Sequence, residues 1–178
     1  LEKGRHFVED NIDTLVEAYG KWQNAEMDLQ KILILEELFP FFGAEFAVPG
    51  AQIRSIFEKE NRSVMAVDVG KALNKENQWI VYVNRMHFLF EDTSLEGFTR
   101  LVTGLPHEMQ HLRQLAFLKE NRSPPTKDIA PSALAITIAT GISSKYPGGY
   151  VVQPNELQSH LLQREMRKVM LEKLQGRP

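Results

Sequence analysis

The chain has 178 residues, 43% hydrophobic and 25% charged, with a formal net charge of -2. Those values describe an ordinary globular protein and give no electrostatic basis for binding nucleic acid or an anionic membrane surface. Cysteine is absent, which excludes disulfides and thiolate metal sites and leaves His, Asp and Glu as the metal-binding side chains.

The first residue is Leu1 and not Met, which reads as an excised domain or a processed product. No secretory signal is visible, and no apolar run approaches the roughly 20 residues of a membrane span. Residues 6 to 18 carry Phe7, Val8, Ile12, Leu15 and Val16 near helical spacing, with Gly20 as the stop. A second helix is expected from Ala25 to Phe39, capped by Asn24 and ended by Pro40. Phe39, Phe41 and Phe42 read as core. Pro49 at a helix start predicts a short amphipathic helix over Ala51 to Glu60.

Asn61-Arg62-Ser63 is a turn, and Val64 to Val69 reads as a strand. Gln78 to Asn84 is rich in β-branched and aromatic residues and is the best strand in the chain. A short polar link between the two predicts an antiparallel pair. Ser94-Leu95-Glu96-Gly97 opens a helix that runs to about Leu118. Pro106 lies inside it and predicts a bend or a restart just before His107. Asn121 to Pro131 reads as an exposed loop and Ala130 to Ile142 as a buried helix. A loop bearing Pro147-Gly148-Gly149 then leads to a closing helix from Asn155 to Leu174.

The chemistry centres on His107-Glu108-Met109-Gln110-His111, an H-E-x-x-H pattern. Two histidines four apart on a helix face the same way and can hold one metal ion, and the glutamate between them can reach a water on that ion. Zinc suits such a pair because it takes nitrogen and oxygen ligands and lowers the pKa of bound water to roughly 7. A third ligand must come from elsewhere. The metzincin continuation is missing, since Gln114 and Phe117 stand where its glycine and histidine would be. Glu156, in the first turn of the last helix, is the leading candidate, and Glu165 competes with it. His160, Tyr146 and Tyr150 are candidates to steady an oxyanion during catalysis. His160 lies one helical turn beyond Glu156, so it could instead hydrogen-bond a metal ligand. The strand Trp79 to Asn84, if at a sheet edge, could bind an extended peptide by strand addition. His87 and both tryptophans read as structural, His6 as solvated, and Arg164, Arg167 and Lys168 as a solvated helix face.

His107, His111 and a later helical glutamate resemble the gluzincin arrangement of zinc metallopeptidases. The likeness runs from about Trp79 to Met170. The run His111-Leu112-Arg113-Gln114 resembles the compact metallopeptidase domains of phage polyvalent proteins and bacterial polymorphic (Rhs-type) toxins. Pro106 departs from these families, which carry an ordinary helix former there. The resemblance implies an α+β, minimal zincin-like fold, with a small antiparallel sheet packed on the H-E-x-x-H helix and further helices at both ends. The likeness does not reach the first sixty residues; the length of the chain suits one metallopeptidase domain over 1–178, with a helical N-terminal part (1–60) and a catalytic core (61–178). The expected activity is zinc-dependent peptide hydrolysis, with Glu108 as the base acting on a zinc-bound water. The expected partners are a protein or peptide substrate and an immunity or inhibitor protein, with no nucleic acid and no membrane. A toxin or effector domain delivered into a target cell is one setting. A cytoplasmic regulatory protease that cuts a repressor, or a catalytically silent interaction module, is the alternative.

Overall fold

The computed structural model describes residues 2–59, 63–68, 72, 78–120 and 154–176. Among them are five helices and a three-stranded sheet, an α+β fold. The order is α1 (Glu2–Asp10), α2 (Ile12–Gln23), α3 (Asp28–Phe46), β1 (Gln52–Ile56), β2 (Met65–Val67), β3 (Ile80–Asn84), a 3-10 turn (Phe88–Glu91), α4 (Leu95–Glu120) and α5 (Pro154–Leu174). No helix among the described residues is long and apolar enough to cross a membrane.

The helix expected over residues 6 to 18 is two helices, broken at Asn11 and continuing past Gly20. Asn11 keeps the helical N–H bond to the Phe7 carbonyl (3.1 Å), and its side-chain amide donates to the same oxygen (2.8 Å). That second, side-chain donor competes with the ladder where the two helices meet. The helix expected to end at Pro40 runs on to Phe46. Pro40 is exposed while Phe39, Phe42 and Phe46 are buried. The carbonyl that proline leaves unpaired can therefore face water, and the rings of Phe42 and Phe46 pack 4.9 and 5.1 Å from that of Phe7. Burial of those rings outweighs the lost hydrogen bond. Phe41 is the exception among the three expected core aromatics and is 47% exposed.

The short helix expected over residues 51 to 60 is instead β1. Pro49-Gly50 forms a turn in which Gly50 takes φ 79°, the left-handed conformation glycine adopts most easily. After it Gln52 donates to the Trp79 carbonyl (2.8 Å) and Arg85 donates to that of Ile56 (3.1 Å), which zips β1 onto β3.

Strand order is β1-β3-β2. β1 runs parallel to β3, with Gln52 beside Ile80 and Ile56 beside Asn84. β2 runs antiparallel, with Met65 beside Val83 and Val67 beside Val81. The sheet is therefore mixed, a correction to the antiparallel expectation, although the β2–β3 pair is antiparallel as expected. β3 is the central strand. Both its edges carry neighbours, so strand addition of a peptide on β3 is excluded.

α4 lies across the centre of the molecule. Phe98, Leu101, Val102, Leu105, Met109 and Leu112 are fully buried along it. They share one core with Trp22 and Phe42 of the N-terminal helices, Val81 and Val83 of β3, and Met166, Val169 and Met170 of α5. The expected break at Pro106 does not divide the helix, which is continuous from Leu95 to Glu120. Apolar residues on both sides of the proline hold the two halves to the same core. At its start, the Ser94 hydroxyl accepts from the Gly97 N–H (3.1 Å), and the Ser94 N–H donates to Asp92 Oδ1 (2.9 Å).

A Cβ at Gly97 would lie 2.5 Å from Asp92 Cγ and 2.7 Å from the Asp92 carbonyl oxygen. Gly97→Ala is expected to lower stability by about 1–3 kcal/mol in urea denaturation. Gly20→Ala meets nothing within 4 Å inside α2 and is expected to raise stability by about 0.5–1 kcal/mol.

Candidate metal centre

The helical repeat stacks His107 and His111 of α4 one turn apart, on the side that faces α5. The first turn of α5 brings Glu156 across the interface. His107, His111 and Glu156 are 6%, 8% and 4% exposed, so all three are withdrawn from water. The two Nε2 atoms stand 3.2 Å apart. Glu156 Oε1 lies 3.4 Å from His111 Nε2, and its Oε2 lies 3.6 Å from His107 Nε2. A tetrahedral zinc ion with bonds of about 2.0–2.1 Å separates its ligand atoms by about 3.3–3.4 Å. The imidazole–imidazole edge is close to that value, and each histidine has a different Glu156 oxygen near it; one donor atom from each of the three residues lies within 4.8 Å of the others. Three electron-pair donors gathered out of water favour a shared positive charge between them, so the donor set fits zinc in its chemistry.

Hydrogen bonding aims His111. Its Nδ1 lies 2.9 Å from Gln114 Oε1, an atom that can only accept. The Nδ1 proton is thereby fixed, and the Nε2 lone pair is left for the cluster. Gln114 Nε2 donates onward to Gln158 Oε1 of α5 (3.1 Å), which also accepts from Gln110 Nε2 (3.2 Å). Three glutamines thus link the helices beside the site. In the sequence Gln114 counts as a departure from the metzincin pattern and as part of the His111-Leu112-Arg113-Gln114 run, with no contact to His111 expected, and Gln110 and Gln158 are not singled out. The available signal was spacing: position 114 is three after His111 and shares its helix face. His107 Nδ1 is buried with no hydrogen-bond partner among the described residues, so that ring is held by packing and by its Nε2 contact with His111.

Glu108 Oε1 lies 4.0 Å from His107 Nε2 at the margin of the cluster. Burial pushes its carboxyl above the ordinary range, against the pull of the His111 and His107 charges, and the Glu156 carboxylate adds to the rise. Burial lowers the His111 pKa, yet the bond to Glu156, the nearby carboxylates and Gln114 together outweigh it and leave the pKa raised. His160 is one turn beyond Glu156. Its Nε2 lies 3.8 Å from Glu156 Oε2, and its ring centroid lies 4.7 Å from that of His107. Burial and the His107 charge lower its pKa, so it favours the neutral form.

The competing acid, Glu165, is not at the cluster. It pairs with Arg5 of α1 at 3.1 Å. Tyr146 and Tyr150 lie outside the described residues. His87 stacks on Phe88 and accepts from the Leu89 N–H (3.2 Å), and the His6 side chain is 70% exposed. Neither is near the cluster. No family model, curated protein or solved structure matches the chain.

Glu156→Ala is expected to abolish tight zinc binding, measured by competition with a chromogenic chelator, while Glu165→Ala retains it. Gln114→Ala is expected to weaken zinc binding by about 10–100-fold.

Proposed function

We propose that the chain is a zinc-dependent metallopeptidase of gluzincin type. One observation carries this reading: His107, His111 and Glu156, all withdrawn from water, bring one donor atom each within 4.8 Å of one another, with a mostly buried carboxyl, Glu108, beside them. These three residues would hold the ion. When bound, zinc supplies a Lewis acid that polarises a carbonyl and makes water a better nucleophile at neutral pH.

The chain's own residues do the rest. Glu108 takes a proton from the attacking water and passes it to the departing amine nitrogen. Burial raises its affinity for that proton, so it can hold one between the two transfers. Neutral His160, half-buried at the mouth of the cluster, can donate a hydrogen bond to the oxygen that gains charge as the carbonyl becomes tetrahedral. The walls of α4 and α5 keep bulk water from the carboxylates, which strengthens each of these contacts.

The substrate class is protein or peptide. The resemblance to toxin metallopeptidases and the lack of cysteine, which lets a chain cross redox compartments unaltered, support a delivered toxin or effector domain restrained by an immunity or inhibitor protein. An intact Glu108 speaks against a silent interaction module.

Glu108→Gln is expected to abolish hydrolysis of a fluorescent protein substrate, with a loss of at least about a hundredfold, while binding one zinc per chain as wild type does. A wild-type protein that takes up no zinc, or a Glu108→Gln protein that keeps full activity, would defeat the proposal.

A further inference from the structure

A groove of about 690 Å³ opens between α4 and α5 beside the cluster. His160 is part of its lining, with Arg100, Gln163, Arg164, Arg167 and Lys168. Glu172 is the acid in its lining. Four cations against one anion stand out on a chain whose net charge is -2. Arg167 is engaged by Glu96. Among the described residues no salt bridge engages Arg100, Arg164 or Lys168, and all three are exposed. Read alone, the α5 cations are a solvated helix face. The fold adds Arg100 from α4 and puts the group in one groove lining with His160, whose Nε2 is 3.8 Å from Glu156 Oε2.

We propose that this groove selects an acidic stretch of the polypeptide substrate and seats its carboxylates beside the metal centre; this rests on the peptidase reading above. From His160 to Gln175 the helix spans about 22 Å at 1.5 Å per residue. An extended chain covers that in about six or seven residues, so the acidic stretch lies within that distance of the scissile bond. Guanidinium groups suit carboxylates because their N–H pairs match both oxygens. A nucleic acid is the poorer fit. The groove lining contains no Phe, Tyr or Trp on which a base could stack.

The test uses the full chain loaded with zinc and carrying Glu108→Gln, so that a bound peptide is not cut. Fluorescein-labelled octaglutamate is titrated by anisotropy beside octaserine and octathymidylate with the same label. Octaglutamate is expected to bind at least about tenfold more tightly than either control. Its affinity should fall as salt rises from about 0.05 M to about 0.5 M. Adding Arg164→Glu and Lys168→Glu should weaken it about tenfold or more with zinc content unchanged. If that pair perturbs folding, Arg164→Gln with Lys168→Gln should weaken binding in the same direction. Equal binding of octaserine, equal or tighter binding of octathymidylate, or unchanged affinity in the charge variants overturns the proposal. Zinc content is read separately. A wild-type chain without zinc defeats the peptidase reading, while the anisotropy series still decides the groove.

Discussion

The structure depends on holding two imidazoles and a carboxylate together away from water. Each buried charge costs several kcal/mol to desolvate, and mutual attraction recovers that only when geometry and hydrogen bonding are good. Here the two Nε2 atoms and Glu156 face one another at 3.2 to 3.6 Å, with Glu108 adjoining. Such a group cannot sit on a loose surface. It needs helices fixed by something other than the site itself, and the apolar stripe of α4 meets that need.

Much of that scaffold is supplied by residues far from the chemistry. Trp22 of α2 is fully buried, packs edge-on against Phe98 of α4 at 5.6 Å, and donates its indole N–H to the Asp92 carbonyl at 3.3 Å. Lys31 of α3 passes over the Trp22 ring at 5.1 Å and donates to the Phe90 carbonyl. Burial lowers the Lys31 pKa, and the carboxylates of Asp28, Asp92 and Glu91 oppose that fall. The N-terminal helices thus clamp the start of α4, and the register of the histidines follows from that clamp. A fully buried leucine, valine or methionine adds roughly 1.5–3 kcal/mol, and α4 buries a run of them around the motif.

What was legible in the chain follows the physics of each signal. The pair His107 and His111 was legible because helical spacing alone places both on one face. Glu156 was legible because a helix start after a loop is a defined place for an acid. The strands at Met65–Val67 and Ile80–Asn84 were legible from β-branched content. β1 was not, because Pro49 was read as a helix start when Pro49-Gly50 is a turn. Proline also misled at Pro40, where local preference argued for an end and burial of the flanking rings carried the helix through; at Pro106 the expected alternative of a restart is not seen, and the helix is continuous. That β3 is the central strand was beyond reach, since strand order depends on contacts distant in sequence. The same holds for Arg100 beside Arg164, and for Glu165 turning away to Arg5.

The three glutamines beside the cluster have a further meaning. Gln110, Gln114 and Gln158 join α4 to α5 through neutral amides, which neither gain nor lose protons and which salt screens only weakly. Gln114 bonds the ring of His111, a group whose charge depends on protons where that of an amide does not. The join between the helices therefore keeps its bonds whatever charge the imidazole beside it carries. The durability of the vessel is set apart from the state of its contents.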